Sequence, residues 1–171
     1  MNSLYQYKPG VSPFHVSVGA VVFNDKLEIC THHFFRDNVP EHILFFMDNL
    51  QEGYHLMRET IESDETLEQA VYRGIEEEFG ATGTIEKYLG SLVCRVVSPT
   101  TIYEKTTLYH AVRLDSLGKR TGTDEESVST LEWYPAKDLL ELYRHQATLT
   151  NRPELNETVI IERFMKAYEI E

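Results

Sequence analysis

The stretch TLEQAVYRGIEEEFGATG, from Thr66 to Gly83, carries the strongest structural signals in the sequence. Thr66 and Gln69 have the spacing of a capping box, and Gly80 suits the left-handed position just past a helix end, so a helix is predicted over residues 67–79. At about 100° per residue, one broad face of this helix collects the apolar side chains. They are Leu67, Ala70, Val71, Ile75 and Phe79. The stretch therefore predicts an amphipathic helix that packs on a core.

Two features of this helix are unusual for a surface helix. Gly74 stands in its middle, although a mid-helix glycine costs about 1 kcal/mol relative to alanine. Three glutamates follow, and the helical wheel turns Glu76 to solvent, Glu77 to the edge of the apolar face and Glu78 near its centre. An inward carboxylate is costly unless it is paired, hydrogen-bonded or bound to metal. Arg73 lies one turn before Glu77 and can pair with it.

A divalent cation would resolve the charge problem at the end of this helix. Glu77 and Glu78 can bring two carboxylates to one rim of the helix, and hard oxygen ligands are what Mg²⁺ prefers. The alternative interpretation is a solvated acidic helix whose glutamates are ordinary surface charge.

Composition limits the class of protein and of partner. The 171 residues suit one domain, and the formal net charge of -12 argues against nucleic acid or an anionic membrane as the main partner. A small phosphorylated substrate stays compatible with this charge, because a bound cation inverts the local field. Cys30 and Cys94 show no CxxC spacing and are expected to be buried thiols. The chain has neither an apolar run long enough to span a bilayer nor a signal-peptide core, so a cytoplasmic protein is expected.

The order of elements predicts the fold class. Residues 1–13 read as an N-terminal arm and residues 14–171 as a single domain. Alternating apolar residues from Val16 to Val22 and a turn at Asn24–Asp25 predict a strand hairpin. Further strands follow the first helix, and two more helices close the chain, the last with Asn156 as a candidate cap. Strands and helices in this order predict an α/β (α+β) sandwich, with a mixed β-sheet flanked by helices.

Two other segments leave alternatives open. The apolar run ILFFM lies in the long connection over residues 36–53, where a short buried element is favoured over an exposed patch for a partner. His32 and His33 are adjacent on a predicted strand, so they point to opposite faces and are not expected to share a metal. A structural or surface role is expected for both histidines.

Residues 53–83 resemble the Nudix box and its lead-in. The family pattern is Gx5Ex7REUxEExGU, where U is a bulky aliphatic residue, and the box spans residues 59–81 here without insertion. The residues that match the pattern are Glu65, Arg73, Ile75, Glu77, Glu78 and Gly80. The departures are Glu59 at the opening glycine, Arg58 where another glycine is usual, Gly74 at the glutamate that follows the arginine, and Ala81 at the last aliphatic position.

The resemblance implies a hydrolase that depends on Mg²⁺, with Mn²⁺ as an alternative, and that cleaves a diphosphate linkage in a nucleoside diphosphate derivative. It implies that Arg73 orients a carboxylate and that Glu77 and Glu78 hold the metal. The family often adds a carboxylate from a later loop, as ligand or base, and Glu126 is the first choice here, with Glu125 the second. The substrate is thus expected to be a small nucleotide-type molecule.

The departures from the pattern leave further interpretations open. Arg58 is a candidate for contact with a substrate phosphate, and Glu59 for a carboxylate turned towards the site. Because Gly74 lacks a carboxylate that usually belongs to the metal-binding set, a catalytically impaired domain that binds a nucleotide-like ligand or a protein is the alternative function. A homodimer is one option for the assembly, as in many relatives.

Overall fold

The computed structural model describes residues 5–41, 44, 47–98, 100–122 and 128–171. Its strands are β1 (Phe14–Phe23), β2 (Glu28–Phe35), β3 (Glu52–His55), β4 (Met57–Thr60), β5 (Ala81–Val97), β6 (Ile102–Leu117) and β7 (Thr130–Pro135). Its helices are α1 (Leu67–Phe79), α2 (Ala136–Leu149) and α3 (Thr158–Ala167). Among the described residues, no helix is long and apolar enough to cross a membrane.

The sheet is mixed and carries helices on both faces. Its strand order is β3-β2-β1-β6-β5, with β4 paired to β1 and β7 paired to β2. β1 and β6 are parallel, and the other pairs are antiparallel. Alternate residues of β1 serve the two layers: Val18, Ala20 and Val22 pack under α1, whereas Val21 and Phe23 pack against α2 and α3. The predicted α/β sandwich with a mixed, helix-flanked sheet is confirmed.

The sheet splits where β3 passes into β4. β1 and β2 pair with each other only near their shared turn, at Val22–Cys30 and Phe23–Ile29. Farther from this turn β3 follows β2 and β4 follows β1, with Leu56 at the bend between them. The two arms of the sheet therefore diverge and leave a gap between β3 and β4.

Helix α1 forms as its local signals indicate. The Thr66 hydroxyl accepts a hydrogen bond from the Gln69 amide, the reciprocal bond of the capping box is present, and Gly80 has a φ of 64°. The prediction for Leu67 is wrong, because its side chain is 44% exposed. The apolar cluster beneath the helix begins one turn later, at Ala70.

The predicted cap of the last helix is also wrong. The N-cap of α3 is Glu157, one residue after Asn156. The Asn156 side chain accepts hydrogen bonds from the Thr158 hydroxyl at 2.7 Å and from the Thr158 amide at 3.4 Å. The Glu157 carboxylate is fully buried and accepts hydrogen bonds from the Tyr109 hydroxyl and the Leu56 amide. A long-range polar network therefore holds this helix start, together with the local contact from Asn156.

β5 and β6 are long strands that pair along almost their whole length. β5 begins at Ala81, directly after the helix end at Gly80, and β6 continues to Leu117. In the ILFFM run, Met47 is buried in a small cluster with Leu50. Ile43, Phe45 and Phe46 lie outside the described residues.

Candidate active site

Gly74 allows helix α1 to lie unusually close to strand β4. A Cβ atom placed on Gly74 would stand 2.7 Å from Met57 Sδ and 2.8 Å from Glu59 Cβ. Real Cβ atoms essentially never approach other heavy atoms this closely. The glycine that seemed out of place in the helix is therefore required by the packing of α1 on the sheet.

Arg73, the residue before Gly74, contacts three carboxylates. Glu65 takes two hydrogen bonds, from Nη2 at 2.6 Å and from Nε at 3.0 Å. The remaining nitrogen, Nη1, contacts Glu59 Oε1 at 3.2 Å and Glu77 Oε2 at 3.3 Å. Nη2 also donates to the Thr60 carbonyl at 2.9 Å, which ties α1 to β4. One guanidinium thus faces three carboxylates, and negative charge is in excess around it.

The three carboxylates of this cluster differ in their environment. The hydrogen bonds from Arg73 lower the pKa of Glu65. Burial raises the pKa of Glu59, Arg73 opposes that effect, and the nearby Glu77 charge adds to it. Glu65 is therefore firmly ionised at neutral pH, whereas Glu59 carries a desolvation cost that a further cation would relieve.

Glu78 points inward, as the helical wheel indicates, and a buried histidine receives it. Its Oε2 lies 2.8 Å from His32 Nε2, and His32 Nδ1 lies 2.8 Å from the Ser129 hydroxyl. Burial lowers the pKa of His32 well below its usual value, so the ring is neutral. We assign the proton to Nε2, which donates to the carboxylate, while Nδ1 accepts from Ser129. Arg120 in turn donates to the Ser129 hydroxyl and carbonyl.

The described residues on either side of residues 123–127 contact these two glutamates. The Gly122 amide donates to the Glu77 carbonyl at 2.9 Å. Ser129 reaches Glu78 through His32. Glu126 itself, like Asp124 and Glu125, lies outside the described residues.

A cavity of about 230 Å³ lies at the gap between the two arms of the sheet. Gly53, Tyr54 and His55 of β3 line one side, and Arg58 of β4 lines another. Tyr103 and Lys105 of β6, Gln146 of α2 and Glu154 add polar groups, and Phe34, Met47, Leu50, Val96 and Leu155 supply apolar walls. The volume is below the roughly 300–1,000 Å³ typical of drug-sized ligands, so the cavity suits a single ring or sugar.

Burial and neighbouring charges determine the pKa values and contacts of the ionisable groups in the cavity. Burial and the nearby Arg58 lower the pKa of Lys105 to about 8. Arg58 donates to the Glu154 carbonyl at 2.7 Å and lies 3.8 Å from the buried Glu157 carboxylate. Burial also lowers the pKa of His55 to about 3, which leaves a neutral ring in the wall. The cavity thus offers cationic donors and the Glu154 carboxylate beside apolar surface.

The structure brings some of the predicted site residues together and separates others. Glu59 and Glu77 both contact Nη1 of Arg73, and Glu78 lies on the inward face of α1, the helix that carries Arg73 and Glu77. Arg58 and Glu59 do not share a surface, because adjacent residues of a strand point to opposite faces. Arg58 lines the cavity, and Glu59 contacts α1.

Helix α1 presents oxygen donors that suit a hard divalent cation. Glu77 and Glu78 lie at its C-terminal end, and Glu59 faces it from β4. In the arrangement described, no three carboxylate, histidine or thiol groups among residues 5–41, 44, 47–98, 100–122 and 128–171 lie close enough to hold a metal ion. The donor chemistry fits Mg²⁺ or Mn²⁺, and Arg73 now neutralises part of the same carboxylate set.

Sequence reasoning missed two participants of this region. His32 was expected to have a structural or surface role, but it is the direct partner of Glu78. The two residues are 46 positions apart, so no local pattern connects them. The alternation that separates His32 from His33 was the one available signal, since it sends His32 alone to the face that α1 covers. Lys105 lies in an ordinary strand pattern and carried no signal of the cavity.

Comparisons with known proteins agree with this architecture. The model of the NUDIX domain family matches residues 13–153. A comparison with curated proteins finds no match. Among solved structures, the chain is similar to a NUDIX hydrolase from Nitrosomonas europaea, with 15% identity over 89% of this chain and 88% of that chain and a TM-score of 0.60.

Two further structures are similar over nearly the whole chain. The NUDIX domain of Shewanella oneidensis NrtR, complexed with ADP ribose, has 17% identity over 95% of this chain and 94% of that chain, with a TM-score of 0.59. The E. coli ORF135 protein has 19% identity over 90% of this chain and 89% of that chain, with a TM-score of 0.56. At these identities the likeness shows the fold.

Proposed function

Because the chain belongs to the NUDIX domain family, we propose that it is a divalent-metal-dependent hydrolase that cleaves a diphosphate linkage in a nucleoside diphosphate derivative. Glu77, Glu78 and Glu126 would hold the metal, with Mg²⁺ or Mn²⁺ as the ion. When bound, the ion would polarise the phosphate oxygens and favour attack by water at phosphorus.

The observation that carries this proposal is the polar network around the paired glutamates at the C-terminal end of α1. The described residues on either side of 123–127 contact both glutamates: Gly122 donates to the Glu77 carbonyl, and Ser129 reaches Glu78 through His32. A polar network of this kind costs stability unless it is satisfied, so it is suited to orienting Glu77 and Glu78. Glu126, which lies in the sequence between Gly122 and Ser129, is proposed as the further ligand or the base.

The other residues of the site have roles that follow from their contacts. Arg73 orients Glu77 through the contact one turn apart on α1. The cavity would receive one ring of the nucleoside part of the substrate, the base or the sugar, with Arg58 and Lys105 in contact with a phosphate or another acceptor. Arg58 lines the cavity, whereas Glu59, the next residue, contacts α1, so the two parts of the site lie on opposite faces of strand β4.

The test is hydrolysis of a panel of nucleoside diphosphate derivatives with Mg²⁺ or Mn²⁺, measured as released phosphate or nucleotide. Glu78→Gln keeps an acceptor for His32 and removes only the charge, so it should fold and lose activity. Glu76→Gln, on the exposed face of the same helix, is the matched control and should keep full activity. Release by Glu78→Gln equal to that of the wild type would refute the role of Glu78, and no release by the wild type would refute hydrolysis.

One observation favours a second function. The place of a side chain at Gly74 is filled by Met57 and Glu59, so the usual carboxylate at this helix position is excluded by packing. A domain that binds a nucleotide-type ligand without cleaving it is the alternative. Equilibrium binding of the same panel distinguishes the two functions, because the alternative requires binding of an intact ligand that is recovered unchanged.

A further inference from the structure

Glu59 and Gly74 look like an exchange of residue types between strand β4 and helix α1. The resemblance described above places a glycine at position 59 and a glutamate at position 74, and this chain has the reverse. The two positions are in contact, since a Cβ on Gly74 would lie 2.8 Å from Glu59 Cβ. The side chain of Glu59 therefore leaves the backbone next to the point where a side chain at position 74 would begin.

The Glu59 side chain also ends beside Glu77. Its Oε1 and Glu77 Oε2 both contact the same nitrogen, Arg73 Nη1, at 3.2 and 3.3 Å. The Glu59 side chain is 18% exposed, so it is held between the strand and the helix and does not extend into solvent. The Glu59 carboxylate, on strand β4, thus reaches the rim of helix α1, which has no carboxylate at position 74.

Charge at this rim favours a further cation. Glu65 occupies Nε and Nη2 of Arg73 with two hydrogen bonds. Glu59 and Glu77 share Nη1, and Glu59 Oε1 also accepts a hydrogen bond from the Thr60 amide at 2.8 Å, so one guanidinium nitrogen is the cationic group between these two carboxylates. Like charges in such proximity are costly, and a divalent cation would balance them more fully than a shared guanidinium nitrogen.

We infer that Glu59 supplies from strand β4 the metal-binding carboxylate that Gly74 cannot supply from helix α1. The inference rests on the proposed function, because it concerns the same divalent ion. It assigns this chain a carboxylate set drawn from β4 and α1 together, with Glu77 as the neighbour of Glu59 in that set.

The test is Mn²⁺ binding to the full chain, measured by titration calorimetry and by the electron paramagnetic resonance signal of free Mn²⁺. Glu59→Gln keeps the size of the side chain and an acceptor oxygen for Arg73. It should weaken Mn²⁺ binding by roughly ten- to hundredfold. Glu76→Gln removes the same charge from an exposed position on α1 and should leave the affinity unchanged.

A rescue pair separates a metal ligand from a merely structural residue. Glu59→Gly alone should lose the affinity, and the double variant Glu59→Gly/Gly74→Glu should regain part of it, because a glycine at position 59 removes one of the two close contacts at position 74, that with Glu59 Cβ, and leaves that with Met57 Sδ. Circular dichroism and the thermal midpoint establish that each variant is folded. A folded double variant that does not regain affinity would overturn the exchange.

Two outcomes distinguish this inference from the proposed function. If the wild type and Glu59→Gln bind Mn²⁺ equally, Glu59 is not a ligand, and the inference fails while metal-dependent hydrolysis stands. If the wild type does not bind Mn²⁺ at all, both the inference and the metal-dependent function fail.

Discussion

Replacing Gly74 by alanine should destabilise the protein, although the same change in most helices is stabilising. Alanine gains about 1 kcal/mol over glycine in a helix interior. Here the added methyl group would lie 2.7 Å from Met57 Sδ and 2.8 Å from Glu59 Cβ. Met57 is fully buried, and Glu59 Cβ is attached directly to the backbone of β4, so neither atom can move away freely.

The size of the effect follows from these opposing terms. Extra methyl groups in a well-packed core cost typically about 1–3 kcal/mol. Two contacts below 3 Å place Gly74→Ala in the upper part of that range. After the gain in helix propensity, we expect a net loss of about 1–2 kcal/mol in the free energy of unfolding, or roughly 3–6 °C in thermal midpoint for a chain of this length.

Urea unfolding followed by circular dichroism measures this loss. Glu76→Ala, on the exposed face of the same helix, is the matched control and should change the free energy of unfolding by less than about 0.5 kcal/mol. The double variant Gly74→Ala/Glu59→Gly removes one of the two close contacts, so the alanine should cost less in that background. If the single variant Gly74→Ala is more stable than the wild type by about 1 kcal/mol, the close approach of α1 and β4 is refuted.

Three further predictions concern the buried polar groups. The folded-state pKa is lowered to about 3 for His55 and to about 4 for His15, so unfolding below pH 6.5, their ordinary pKa, takes up a proton at each ring. Their contribution to stability is fully present above pH 6.5 and is lost as the pH falls towards the folded values, so the urea midpoint should drop between pH 6.5 and 4. A flat profile would contradict the burial of both rings. His32→Leu removes the hydrogen bond that His32 donates to the buried Glu78 carboxylate and should cost about 2–3 kcal/mol in urea unfolding; an unchanged midpoint would show that the bond carries no stability. The wild type should bind a phosphorylated ligand less tightly as the pH rises through about 8, because Lys105 loses its proton there. Lys105→Met should weaken binding at pH 7 and abolish this fall in affinity, measured by calorimetry at several pH values. An identical profile in the two proteins would exclude Lys105 from the ligand contact.

Long-range partners account for what the sequence left open at the site. The direction of Glu78 could be predicted from the helical wheel, but its partner could not, because His32 lies on a strand 46 positions away. The alternation of β4 sends Glu59 towards α1 and Arg58 towards the cavity, and that outcome depends on which face of the strand each layer covers. Asn156 was the locally favoured cap, but Glu157 starts α3 because its carboxylate is satisfied in the core.

Helix α1, from the capping box at Thr66 to the left-handed Gly80, could be read from the sequence, and so could the mixed sandwich fold. These features depend on residues within one or two helical turns of each other, on the alternation of apolar residues in β1 and on the order of strands and helices along the chain. The packing of the folded chain explains why Gly74 interrupts the helix and which groups surround the glutamates after it. Gly74 is explained by the backbone distance between α1 and β4, and that distance is a property of two packed elements and is written in neither of them alone.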